Sequence, residues 1–192
     1  IDTSLAAYTV AQDILTDPAL AGAADGGLLK LGAHALGLTG SGNTFRGPVR
    51  VNAGLLRARL GGTNDLAVAE GAAFDALGER CTVGDLTGTG TLSNGVIAVT
   101  GTFDPGTNGA PAGAAMTVQH LALTDGAVLA CPWSTNSLGQ ITCDSVAVTG
   151  SLAVNRVDTD TQASATDATL VARAAPEGRF AARLARLTAA RR

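Results

Sequence analysis

Apolar residues in this chain arrive in short bursts, separated by glycine, asparagine and serine. Residues 28–31, 36–38 and 49–51 are three such bursts, and a fourth begins at Leu55. None is long enough for a helix, and the glycine at nearly every break supplies the positive φ that a tight corner requires. The predicted order is strand, corner, strand, corner. Two corner patterns recur. Val51-Asn52-Ala53-Gly54-Leu55-Leu56, Val68-Ala69-Glu70-Gly71-Ala72-Ala73-Phe74 and Leu123-Thr124-Asp125-Gly126-Ala127-Val128-Leu129 share one of them. Leu38-Thr39-Gly40, Leu86-Thr87-Gly88, Val99-Thr100-Gly101 and Val148-Thr149-Gly150 share the other. Such self-similarity marks a stacked repeat, in which each strand lies on its successor. Residues 96–99 and 116–123 alternate or run apolar as strands do, and residues 104–113 between them, rich in Pro and Gly, read as a surface loop.

The two ends differ from this middle. Residues 1–25 predict an extended strand at 7–10, then a helical turn ending before Pro18, as an N-terminal appendage or cap and a candidate donor strand. The repeat region spans 26–157. Residues 158–192 begin as a polar connector, continue as a last strand at 168–172, and end in a segment, 178–192, with Phe180, Leu184 and Leu187 at helical spacing among arginines. The expectation there is an amphipathic helical cap, because an open stack must end in something that covers its core.

Gly27-Leu28-Leu29-Lys30-Leu31-Gly32, Ala35-Leu36-Gly37-Leu38-Thr39-Gly40, Asn43-Thr44-Phe45-Arg46-Gly47-Pro48 and Val51-Asn52-Ala53-Gly54-Leu55-Leu56 follow one another in order. In these motifs residues 26–60 resemble the passenger-associated transport repeat, also called the autotransporter-associated β-strand repeat. Phe45 stands where Tyr is usual there, and Arg46 where Thr is usual. Residues 82–157 resemble degenerate copies. The resemblance implies an all-β fold, a right-handed parallel β-helix or β-solenoid on surface or secreted proteins. It implies no chemistry, since these repeats are scaffolds.

Composition narrows the picture. Apolar residues make up 46% but aromatic ones only 3%. Ala, Val and Leu suit a narrow stacked interior and suit poorly an aromatic sugar cleft or a base-stacking platform, so nucleic acid is not an expected partner. No run approaches the eighteen or so uncharged apolar residues of a membrane helix. One Lys among 13 basic residues and a net charge of −3 fit a secreted or cell-surface protein, and Ile1 reads as a processed or excised start. Charge is uneven. The first 25 residues hold four Asp and no base, while residues 173–192 hold six Arg against one Glu, or +5.

Candidate chemistry is sparse. Three cysteines are an odd number; Cys131 and Cys143 bracket a polar turn and either bridge or remain thiols, while Cys81 reads as a small buried residue or, if exposed, a link between subunits. His34 and His120 lie far apart without ligand spacing, and Asp158, Asp160 and Asp167 lack the Gly and Glu of a calcium loop, so no metal or cofactor is expected. No nucleophile elbow or phosphate loop is present. Asp75, Glu79, Asp85 and Asp104 could line one sheet, as in a carbohydrate-active β-helix enzyme, although solvated corners explain them more simply. No catalytic residue is assigned. The expected function is an extracellular structural protein, not an enzyme, that assembles head to tail with itself into filaments. Ile1, Leu5, Tyr8 and Val10 would contact a neighbour at one end, and Phe180, Arg183, Leu184 and Leu187 at the other. An adhesin-like autotransporter passenger fragment, binding a cell surface or glycan, is the alternative.

Overall fold

The computed structural model describes residues 1–61, 64–106, 115–133, 140–149, 153–158, 169–174 and 180–185, with residues 115, 131–133, 140 and the last three strands described by their backbone. The chain is all-β, and its strands alternate between two sheets. The odd sheet holds β1 (Tyr8–Val10), β3 (Ala35–Leu38), β5 (Leu55–Ala58), β7 (Ala73–Val83), β9 (Thr91–Val99), β11 (Ala115–Leu123) and β13 (Gln140–Val148), side by side. The even sheet holds β2 (Leu28–Lys30), β4 (Val49–Val51), β6 (Leu66–Val68), β8 (Leu86–Gly88), β10 (Thr102–Asp104), β12 (Val128–Trp133) and β14 (Ala153–Asp158). Each of these strands pairs in parallel with the one two places earlier. One strand from each sheet makes a rung.

The pairing register lines up the apolar bursts. In the odd sheet Leu36, Leu56, Phe74, Leu92, Val118 and Cys143 are successive register partners, and all are buried. In the even sheet Val49, Leu66, Leu86, Phe103 and Leu129 form the facing column, also buried. Side chains alternate across a strand, so every second residue points between the sheets. Each buried Leu or Phe contributes roughly 1.5–3 kcal/mol. Close approach between rungs fixes some residues outright: Gly88, at φ 111°, would put a Cβ 2.1 Å from the Val68 carbonyl oxygen.

The ends correct two expectations. The N-terminal turn is a single 3-10 turn at Pro18–Leu20, capped by the Asp17 side chain, and does not end before Pro18. The fixed φ of proline suits a first helical position, so the turn starts there. The C-terminal helical cap is replaced by strands. Residues 180–185, with Phe180, Arg183 and Leu184, form β16 (Phe180–Ala185), antiparallel to β15 (Thr169–Ala174) and to β13 at Ile141, Thr142 and Cys143. A strand satisfies the backbone groups along β13, which a helix laid there would leave unpaired, and this outweighs the helical spacing of the apolar residues. Leu187 and the connector at 159–168 lie outside the described residues.

Candidate functional site

The interior polar groups come first, because a buried polar group is either structural or functional. Among the described residues Thr3, Lys30 and Asn64 are the buried polar side chains. Thr3 Oγ1 donates to the carbonyls of Leu31 (3.1 Å) and His34 (2.7 Å). Lys30 occupies an inward position, in register with Val51 and Val68. Its Nζ donates to the carbonyl oxygens of Leu31 (2.9 Å), Gly32 (2.6 Å) and Ala53 (2.9 Å), which ties one corner to the next rung. Burial pulls its ammonium below the usual lysine range, with the Asp2 carboxylate opposing. Asn64 Nδ2 donates to Phe45 O (3.0 Å) and Gly47 O (2.9 Å) of the preceding rung.

The corners carry a second set; of it, sequence reasoning named Asp85 as a solvated corner but did not see that these acids tie one rung to the next. Asp65 Oδ1 accepts from the Asp85 N–H (2.9 Å), and Asp85 Oδ1 accepts from the Thr102 N–H (2.6 Å), so each corner acid holds the next rung. Asp13 takes the Gly42 N–H and Asp25 the Arg46 N–H in the same manner. The signal was available as Asn64-Asp65-Leu66 and Gly84-Asp85-Leu86, an acid placed directly before an inward leucine.

On the outside of the odd sheet, β7 and β9 bulge. Ala76, Leu77 and Gly78 of β7 stand opposite Asn94 alone, and Ser93, Asn94 and Gly95 of β9 stand opposite Gln119 alone. Leu77 (φ 58°) and Asn94 (φ 53°) take left-handed conformations that are rare for residues other than glycine. Asp75 is the hub of this shelf. Its Oδ1 accepts from the Leu77 N–H and from Asn94 Nδ2, both at 2.8 Å, while Oδ2 meets Arg57 Nε at 3.4 Å. The line continues through the Asn94 N–H to Gln119 Oε1 (2.7 Å), beside a second pair, Arg59–Glu79 (3.2 Å). The four acids that sequence reasoning grouped are not gathered: Asp75 and Glu79 lie in β7, Asp85 at a corner, and Asp104 at the end of β10 in the other sheet. His120 bonds Ser145 through Nδ1 (2.8 Å), and among the described residues no group of three or more His, Cys, Asp or Glu could hold a metal ion.

The cysteines are interior. Cys81 is buried, accepts from the Leu60 N–H (3.2 Å), and burial pushes its thiol up to about 11. That burial leaves no surface thiol at position 81 to join subunits. Cys143 is buried in β13, where burial and, to a lesser extent, Asp144 raise its thiol. The alternative of a Cys131–Cys143 bridge or two thiols falls on the Cys131 side chain, which lies outside the described residues.

The N-terminal end exposes a set of apolar side chains. Ile1, Leu5, Tyr8, Leu15, Leu20, Leu29 and Leu31 are exposed, and the remaining large exposed apolar side chain among the described residues, Val148, lies in β13, the last parallel strand of the odd sheet. Residues 1–10 are not loose. Thr3 N–H donates to Leu31 O, Leu31 N–H to Ile1 O, and β1 pairs with β3, so this segment forms an incomplete first rung. Val10 packs on the core.

Fold and surfaces together define a class: an all-β protein of two sheets, parallel from β1 to β14, whose buried polar side chains among the described residues are bonded to its own backbone. Among the described residues no helix is long and apolar enough to cross a membrane. Comparison with protein-family models, with curated proteins and with solved structures gives no match.

Proposed function

We propose that this chain is a β-solenoid scaffold of an extracellular or cell-surface protein, acting through its shape and contacts and not through catalysis. The observation that carries this reading is the use made of the interior polar groups. Thr3, Lys30 and Asn64 all donate to backbone carbonyls of their own or an adjacent rung, so the chemistry of the interior holds the stack together. Alternation of β1 to β14 between two sheets, with parallel pairing throughout, supports a solenoid, and the resemblance of residues 26–60 to the passenger repeat supports a right-handed coil and a surface location. Small-angle X-ray scattering of the full chain tests the shape: a rod of constant cross-section is expected, and a compact globule would overturn the reading. A polysaccharide panel tests the chemistry. No turnover is expected; turnover that disappears in Asp75→Asn or Glu79→Gln would overturn the scaffold reading in favour of a carbohydrate-active enzyme.

The bulged shelf favours a second reading, an adhesin-like passenger whose polar outer face binds a cell-surface glycan. Glycan-array binding that is lost in Arg59→Ala would support it, and an array with no binding would remove it.

A further inference from the structure

The first and last parallel strands of the odd sheet, β1 and β13, are complementary. At the N-terminal end β1 has β3 on one side and, among the described residues, no strand on the other. The Val10 carbonyl accepts from the Thr39 N–H within the chain. By the alternation of a parallel ladder, the N–H and C=O of Thr9 then face outward. Tyr8 is the register partner of buried Leu36 yet is 64% exposed, because no further rung covers it. Where the parallel run ends, β16 pairs with β13, among the described residues, at Ile141, Thr142 and Cys143. Among the described residues the outer edge of β13 is therefore bare from Asp144 to Val148. Val148 ends the register column of Val83, Val99 and Leu123, and it is 45% exposed where those three are buried.

We infer that the N-terminal end is covered by a second copy of this chain, whose residues 144–148 pair in parallel with Tyr8–Val10 and carry the odd sheet from one copy into the next. The inference rests on the stacked-scaffold reading and adds the joint. Strand direction supports it: β1 through β13 all run parallel, so head on tail continues the ladder unchanged. Head on head would set four aspartates, Asp2, Asp13, Asp17 and Asp25, against four more. The tail offers the opposite sign, +5 over residues 173–192, which steers the encounter. Residues 1–10 already pair within their own chain, so the joint adds an edge and needs no strand exchange. A head-to-tail contact is heterologous and need not close, so repetition gives a filament.

Sedimentation and electron microscopy of the full chain over a concentration series test the joint. Leu5→Asp and Thr9→Pro block the head, and Val148→Lys blocks the tail. Leu5 is 98% exposed, so its substitution removes no packing and should leave Tm unchanged. Wild-type polymers are expected, with monomers for each variant. Mixing Thr9→Pro with Val148→Lys should give one-to-one dimers, since each supplies the end the other lacks. Polymers that persist in Leu5→Asp and Val148→Lys, or a mixture without dimers, would overturn the joint. A wild type that stays monomeric at every concentration would overturn it too, while leaving the scaffold reading to stand or fall on the scattering and turnover experiments.

Discussion

A lysine that points between two sheets is the least expected residue of this fold. Lys30 shares its column with Val51 and Val68, and the column tolerates it because three carbonyl oxygens receive its ammonium. Lys30→Met keeps the apolar stem and removes the donors to Gly32 O and Ala53 O, while Leu31 O keeps its bonds from Thr3. A loss of about 2–4 kcal/mol in urea unfolding is expected, from the usual worth of charge-assisted bonds to buried groups. A neutral result would mean that the ammonium contributes nothing to the stack. Cys81 makes a prediction in pH. Burial raises its thiol from 9.0 to about 11, so the unfolded chain loses this proton first as pH rises. Its contribution to stability is whole below about pH 9 and falls between about 9 and 11. Wild-type Tm should drop across that window more steeply than that of Cys81→Ala. The sequence marked Cys81 as a small buried residue, and that is where it lies; it gave no hint that Lys30 would be interior, since lysine is an ordinary surface residue unless its acceptors are known.

Among the elements, the middle strands depart furthest from regularity. β7 and β9 carry extra residues between fixed register points, and Asp75 organises the excess by bonding Leu77 and Asn94 while it pairs with Arg57. Asp75→Ala should lower stability by about 1–2 kcal/mol and speed amide exchange at residues 77–79 and 94, with the core of β7 unchanged. Exchange that stays the same would mean that the bulge is held by packing alone. The short strands were legible in the bursts at 28–31, 36–38 and 49–51, because alternation and glycine breaks are local. The bulge was not legible, because it exists only as a difference in length between neighbouring strands. β16 shows the same limit: Phe180 and Leu184 sit at a helical interval, but the edge of β13 decides their backbone. The spacing between rungs hid the repeat as well, running from 16 residues (Val83 to Val99) to 28 (Tyr8 to Leu36).

At the scale of the whole molecule, each rung touches only the rungs on either side of it, so stability should be greatest in the middle and least at the ends. Native-state hydrogen exchange is expected to be slowest in β7 and β9, which have neighbours on both sides, and fastest in β1. Uniform protection would show instead that the chain opens as one cooperative unit. The sequence by itself determined the class of structure: alternating apolar bursts with glycine corners yield strands, and small side chains yield a narrow stack. The tertiary structure decided where the stack stops and what its ends present. It made residues 1–10 an incomplete rung, made residues 180–185 a strand, and left Tyr8 and Val148 exposed on the first and last parallel strands of one sheet. The physical reason is range. A strand's inward face follows from residues two apart, whereas an open edge depends on whether a strand about one rung away in the chain is there to pair with it.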